Sequence, residues 1–196
     1  MEQAEIRRII EEVRSGSTAA YAGLVRRHQQ MVLSVCASML GASDAEDAAQ
    51  EVFLKAFRSL GKFQAAASFS TWLYRIATNH CLDTLKKASR QREESWDALL
   101  ERDGELSPGS SPPARSESAA LEDKDLVERI LSGLKPEYRA ILVLRELQGL
   151  SYRELAETLD CSIDSVKALL RRAREAFMAG RDTFQEPRSS NEVRAR

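Results

Sequence analysis

The chain has 196 residues, 43% of them hydrophobic and 30% charged, with 29 lysines and arginines against 30 aspartates and glutamates. That length fits one ordinary domain or two small ones, and the composition of a water-exposed globular protein excludes a fibrous or low-complexity chain. No apolar run approaches the roughly 18 residues that cross a bilayer, and the opening MEQAEIRRII lacks a signal-peptide core, so the expected place is the cytoplasm without membrane insertion.

Leu, Ala, Glu and Arg dominate while aromatics are few, which favours helix throughout. The first predicted helix is AEIRRIIEEVRS, with Ile6, Ile9, Ile10 and Val13 as its apolar stripe. Gly16 ends it and Ser17 is placed to cap the next helix, about residues 18–40. Tyr21, Leu24, Val25, His28, Val32, Val35 and Met39 share one side of that helix, and Gly41 closes it.

SDAE at 43–46 reads as a capping box opening DAEDAAQEVFLKAFRSL, a helix expected to bury Val52, Phe53, Ala56 and Phe57. Its other face carries Asp44, Asp47, Gln50, Glu51 and Lys55. After the loop GKFQAAAS comes FSTWLYRIATNHCLDTLKK, whose Trp72, Leu73, Ile76, Ala77, Leu82 and Leu85 recur at helical spacing. A first domain, residues 1–90, ends there.

Residues 91–121 read as a flexible acidic linker; over 91–125 ten acidic groups face four basic ones, with Gly, Ser and Pro in the middle. Trp96, Leu99 and Leu100 are its apolar exception and are expected to dock as a short helix. A second domain, 122–181, begins with KDLVERILSGL, then PEYRAILVLRELQG with Pro136 in a first turn and Gly149 at the end. SYRE at 151–154 is a second capping box; YRELAETL, the turn DCS and IDSVKALLRRAREAF follow. Two helices joined by a short turn, the second basic, predict a helix-turn-helix. The tail 182–196 has no apolar pattern and is expected to be disordered. The fold class is therefore all-α, two small helical domains joined by a flexible linker.

Cys36, Cys81 and Cys161 are widely spaced with no CxxC pair, so they read as small hydrophobes and not as metal ligands or a disulfide framework. Neither a glycine-rich phosphate loop nor a nucleophile elbow is present, and His28 and His80 stand in different helices with no evident partner. No enzymatic activity, cofactor or metal is expected.

Charge is segregated, and this points to nucleic acid despite the net value of −1: residues 166–181 hold Lys167, Arg171, Arg172, Arg174 and Arg181 against Glu175 alone. In the last helix Ile163, Val166, Leu169, Leu170 and Ala173 can face inward, leaving Ser165, Lys167, Ala168, Arg171 and Arg172 to meet base edges and phosphates in a major groove. The alternative is a solvated basic face on a bundle helix. Along FSTWLYRIATNHCLDTLKK, aromatic rings, an amide and lysines are what unstacked single-stranded bases require. Trp72 and Tyr74 equally suit a core helix, whereas Asn79 costs helix stability and asks for a polar partner.

The order YAGLVRRHQ, DAEDAAQEVFLKAFRSL, FSTWLYRIATNHCLDTLKK, an acidic linker, then LRELQGLSYRELAETLDCSIDSVKALLRRARE resembles the bacterial extracytoplasmic-function (group 4) sigma factors, promoter-specificity subunits of RNA polymerase. The resemblance spans residues 17–180 and implies a first domain of the region-two type and a second of the region-four type. It implies docking on core polymerase, at the beta-prime coiled coil through Asp44, Asp47, Gln50, Glu51 and Leu54, and at the beta flap. It assigns the minus-ten element of promoter DNA to Phe63, Trp72, Asn79, Lys86 and Lys87, and the minus-thirty-five duplex to Ser165, Lys167, Ala168, Arg171 and Arg172. Ala65 to Ala67 stand where relatives carry charged or glycine residues, and Ala168 where they carry a small polar one. An anti-sigma factor is the further partner implied. The competing reading is a free-standing helix-turn-helix regulator that binds duplex DNA as a dimer; no long heptad seam is present to hold it.

Overall fold

The computed structural model describes residues 3–63, 68–100 and 119–185, with the backbone alone at 3, 91–100, 119–124 and 184–185. The calls on Ala65 to Ala67, on the middle of the linker and on the tail beyond Gln185 lie outside the described residues, whereas residues 182–185, expected to be disordered, continue the last helix. Those described form helices and turns only.

The first unit comprises α1 (Gln3–Arg14), α2 (Thr18–Leu40), α3 (Ala42–Ser59), a 3₁₀ turn (Leu60–Lys62) and α4 (Phe69–Leu100). The Ser17 side chain accepts from the Ala20 amide at 3.3 Å, the cap expected of it. The capping box expected at 43–46 does not form. Gly41, at φ +98°, ends α2 and directly precedes Ala42, so Ser43 already lies inside α3. Only a residue without a Cβ takes that backbone turn cheaply, and it lets one helix follow another with no loop. Helix α4 continues past residue 90 to Leu100, so Trp96, Leu99 and Leu100 extend it and are not a separate helix.

Val32, Val35, Cys36, Met39, Val52, Ala56, Leu73, Ala77 and Cys81 are fully buried between α2, α3 and α4. A side chain such as Leu73 stabilises this core by roughly 2–3 kcal/mol on burial. The Cys36 and Cys81 sulfurs meet at 4.0 Å as packing groups. Phe57 departs from expectation: it is 42% exposed, because the inward stripe of α3 is filled by Ala45, Ala48, Ala49, Val52 and Ala56. Both histidines have partners that the sequence did not reveal. His28, buried, shares Nδ1 with the Leu24 carbonyl at 2.9 Å and sets its ring edge-on to Phe69 at 5.1 Å. Lys55 Nζ lies 2.9 Å from His80 Nδ1.

The second unit comprises α5 (Ala119–Gly133), α6 (Pro136–Leu142), a π turn (Val143–Leu147), α7 (Tyr152–Leu159) and α8 (Ile163–Gln185). The apolar run expected to be one helix therefore winds from α into π form before Gly149, at φ +73°, ends it. The Ser151–Glu154 capping box is present in full. Asp160 takes the left-handed conformation, φ 54°, that breaks α7 from the turn, and the Ser162 hydroxyl accepts from the Ser165 amide to start α8. Val166, Leu170 and Ala173 are buried as expected, whereas Ile163 is 45% exposed. Helix α8 passes α5 closely at Gly180, where an added Cβ would stand 3.1 Å from Ile130.

The two units pack on one another. Helix α4 meets α6 and α7, and α2 meets α5, α6 and the π turn. Their buried residues join in one cluster.

Candidate nucleic-acid and polymerase interfaces

Three surfaces hold the residues singled out by the sequence. On α3, Asp44, Asp47, Gln50 and Glu51 are all exposed and Leu54 is 46% exposed. Positions 44, 47, 51 and 54 recur at helical spacing, so they form one face. Beside that face, Tyr21, Val25, Gln50, Phe53, Leu54 and Phe57 line a groove between α2 and α3 of about 470 Å³. Burial pushes the Tyr21 phenol up to about 12. The apolar half of this surface was missed because Phe57 reads as a core residue in sequence; its ring packs edge-on to Tyr21 at 4.9 Å while its other side faces water.

The second surface is α4. Trp72, Asn79 and Lys86 follow at seven-residue intervals and so lie on one stripe, about 21 Å long at 1.5 Å per residue. Asn79, Lys86 and Lys87 are exposed. Phe63 and Trp72 are half-buried, their rings in a T-shaped, edge-to-face contact at 5.3 Å, and both pack on Phe69. Each ring packs one side into the aromatic cluster and leaves the other to solvent. Arg14 Nη2 donates to the Gly61 carbonyl at 2.6 Å and fixes the turn from which Phe63 emerges. Tyr74 belongs elsewhere, since its hydroxyl donates to Gln148 of the second unit at 3.1 Å. Past Asn79, a cleft of about 590 Å³ brings together Lys55, His80, Lys86, Lys87 and Arg90 with Glu51 and Asp83. Burial and the neighbouring Lys55 cation hold His80 below its ordinary pKa, so its neutral ring can accept from the lysine.

The third surface is α8. Ser165, Lys167, Arg171 and Arg172 are exposed and Ala168 is half-buried. Lys167 pairs with Asp164 at 3.0 Å and Arg171 with Glu175 at 3.1 Å, exposed pairs that exchange cheaply for phosphates. Arg172 pairs with no carboxylate among the described residues. Farther along α8, Val127, Leu131, Leu142, Leu147, Phe177 and Met178 line an apolar groove of about 430 Å³, rimmed by the Glu146–Arg174 pair at 2.7 Å.

Among the described residues no group of three or more His, Cys, Asp or Glu is placed to hold a metal, and no helix is long and apolar enough to cross a membrane.

Two helical units, one with an exposed amide-bearing stripe and one a helix-turn-helix whose last helix is basic, define the class of protein as all-α and two-unit. Residues 24–91 match the sigma-70 region 2 family and residues 124–177 the sigma-70 region 4 family. The chain is 36% identical over 174 residues to the ECF RNA polymerase sigma-E factor of Escherichia coli, covering 86% of this chain and 90% of that one. It is 35% identical over 183 residues to the RNA polymerase sigma-H factor of Pseudomonas aeruginosa, covering 89% and 93%. Its fold is also that of CnrH, solved in complex with the cytosolic domain of CnrY, with a TM-score of 0.63 at 24% identity over 91% of this chain and 98% of that one. The sigma factor RpoE from Bartonella quintana, solved with the anti-sigma factor NepR, aligns with a TM-score of 0.61 at 21% identity, covering 82% and 95%. The chain belongs to the extracytoplasmic-function RNA polymerase sigma factors. The free-standing dimeric regulator weighed from sequence is set aside by that membership. Sigma factors are transcription regulators.

Proposed function

We propose that this protein is an alternative sigma factor of the cytoplasm, with no catalytic activity of its own, which directs core polymerase to a promoter that its two units read separately. The polar face of α3, Asp44, Asp47, Gln50, Glu51 and Leu54, docks on the beta-prime coiled coil, and the apolar groove of the second unit takes the beta flap. Residues 1–90 open and read the minus-ten element, with Asn79 on an unpaired base, Phe63 and Trp72 stacking, and Lys86 and Lys87 on the backbone. Residues 122–181 read the minus-thirty-five duplex with Ser165, Lys167, Ala168, Arg171 and Arg172. Residues 91–121 tie the two and thread the basic channels of polymerase. An anti-sigma factor holds the protein inactive, as NepR is found with its Bartonella relative.

The observation that carries this reading is the pair of unlike surfaces on one short chain: an exposed amide above two lysines on α4, and, on the last helix of a capped helix-turn-helix, an exposed arginine with no carboxylate partner among the described residues. One suits unpaired bases, the other a duplex. In vitro transcription with core polymerase and a pooled promoter library tests it. Enrichment of two sequence blocks at fixed spacing is the expected result; transcripts whose start sites ignore the added protein would refute it.

A further inference from the structure

Lys55 of α3 and His80 of α4 meet where those two helices pack, Nζ to Nδ1 at 2.9 Å. Both side chains are half-buried. The neutral ring accepts from the ammonium at Nδ1, which leaves the ring proton on Nε2 as a donor. A neutral imidazole is a poor resting place for a cation, since it offers one lone pair and no charge. Two carboxylates line the same cleft: Glu51, one turn before Lys55 on α3, and Asp83, three residues past His80. Among the described residues, neither forms an ion pair with Lys55.

His80, Asp83, Lys87 and Arg90 recur at three- and four-residue spacing and so make one stripe of α4, next to the stripe of Asn79 and Lys86. The cleft of about 590 Å³ therefore sets four cations, Lys55, Lys86, Lys87 and Arg90, against two carboxylates. Excess positive charge in a concave site draws an anion. The cations extend from Lys55 beside His80 to Arg90, ten residues and about 15 Å along α4. A run of phosphates matches that length, whereas one small anion or a single carboxylate does not. The run also starts one residue from Asn79, so a strand held there continues from the amide without a gap.

We propose that this cleft is a phosphodiester subsite: Lys55, parked on His80 while the cleft is empty, turns to a backbone phosphate of the strand whose base Asn79 reads, and Arg90 holds the strand beyond Lys86 and Lys87. The identity of that strand rests on the proposed function; the Lys55–His80 pair does not. His80 is a positioning residue with a proton attached to its role. In the empty cleft burial first and Lys55 next hold its pKa down, Glu51 and Asp83 oppose, and Lys87 adds to the lowering. A phosphate brings negative charge and draws the lysine off Nδ1, so that nitrogen can take a proton from solvent. The bound state thus holds more protons than the free one, and affinity rises as pH falls through the pKa of the bound ring.

The test uses holoenzyme assembled from core polymerase and the full chain, with a forked duplex that leaves the selected minus-ten block unpaired on one strand. Fluorescence anisotropy reads affinity against salt and pH for wild type, Lys55→Gln, Lys55→Arg, His80→Gln and Asn79→Ala. Competition for core polymerase and circular dichroism follow assembly and folding of each variant. Lys55→Gln is expected to lower the log–log salt slope by about 0.7–1, the signature of one phosphate, on matched and scrambled probes alike, and Lys55→Arg to restore it. Wild-type affinity should rise about threefold from pH 8 to pH 6, and His80→Gln should remove that rise. An unchanged slope in folded, assembled Lys55→Gln overturns the subsite. A pH response that survives intact in His80→Gln overturns the proton link. Weaker assembly of Lys55→Gln with polymerase, at an unchanged slope, assigns the cleft to an acidic protein surface and likewise overturns the proposal. If the slope falls as expected but Asn79→Ala keeps full preference for the matched probe, the subsite stands and the base-reading role of Asn79 falls instead.

Discussion

The Arg139 guanidinium and the Met39 carbonyl, 100 residues apart in sequence, meet at 2.7 Å inside the protein. Burial draws the arginine below its ordinary pKa, yet so basic a group stays charged at neutral pH. Removing it strands three helix-end carbonyls, those of Met39, Leu131 and Ser132, and opens a hole between α2, α5 and α6. Arg139→Ala is therefore expected to cost about 3 kcal/mol, a lost set of charge-assisted bonds partly regained from water. Arg139→Lys should recover less than half, since an ammonium has no planar fork to reach three acceptors at once. Urea denaturation monitored by circular dichroism measures both, and a loss under about 1 kcal/mol for the alanine variant would contradict the capping role.

Stability should also depend on pH through the two histidines. Desolvation, chiefly, holds His28 below its ordinary value, with the Arg27 charge acting the same way and the Leu24 carbonyl opposing. His80 is lowered by burial first and by Lys55 next, while Glu51 and Asp83 pull the other way. Below the unfolded value of 6.5 the unfolded chain binds more protons than the folded one. Stability is therefore full above that pH and declines as pH falls through the lowered folded values. The urea midpoint is expected to drop between pH 7 and pH 5.5, and His80→Gln should flatten part of the slope. A midpoint constant over that range in the wild type counts against the account.

Much of this architecture is legible in the sequence, and the reasons are local. Ser17, Gly41, Ser151 and Glu154 act within a few residues of themselves, so helix ends at Gly16, Gly41 and Gly149 can be read directly. The box at Ser43 fails because Gly41 lets α3 start earlier than a serine cap would allow. Phe57 misleads because apolar spacing alone does not distinguish a core face from an exposed one. The seam between the two units is illegible for a different reason. Ser34, Arg139 and Gln148 are polar side chains of a kind ordinarily left to water, and only the fold shows that each has a partner in the other unit.

The capping box opening α7 offers a contained test of the helix-turn-helix. The Ser151 hydroxyl and amide both bond to Glu154, and they hold its carboxyl below the ordinary range. A depressed carboxylate contributes above its unfolded pKa and is lost as pH falls through the folded one, so the box should weaken only in acid. Ser151→Ala is expected to cost about 1 kcal/mol at neutral pH. The loss should shrink at acidic pH, where protonated Glu154 accepts poorly, and an equal loss at pH 7 and pH 3.5 in denaturant titrations would exclude the mechanism.

Leu54 and Phe57 are 46% and 42% exposed beside a groove, an arrangement that serves a partner better than it serves the fold. Replacing both by alanine should leave the unfolding free energy, from urea titration, within about 0.5 kcal/mol of wild type. Affinity for core polymerase, measured by competition against a labelled wild-type chain, is expected to fall at least tenfold, as when apolar anchors leave an interface. Unchanged competition would move the docking site off this side of α3.

Arg172 and Asn79 should fail in different ways, because one is assigned to paired DNA and the other to unpaired DNA. Arg172→Ala removes a cation that has no carboxylate partner among the described residues, so the fold is expected to lose little while the duplex loses the base or phosphate contact proposed for it. Transcription is expected to drop roughly 10- to 100-fold, the scale of one good base contact at about 1–3 kcal/mol. On a template pre-melted around the start site, melting is supplied in advance. There the Asn79→Ala defect should persist if the amide reads a base, and shrink if Asn79 only assists strand opening. The Arg172→Ala defect should disappear when the minus-thirty-five block is scrambled, since both proteins then lack the contact. If Arg172→Ala instead lowers transcription equally from intact and scrambled templates, its side chain acts on polymerase or on folding, and α8 is not the duplex reader.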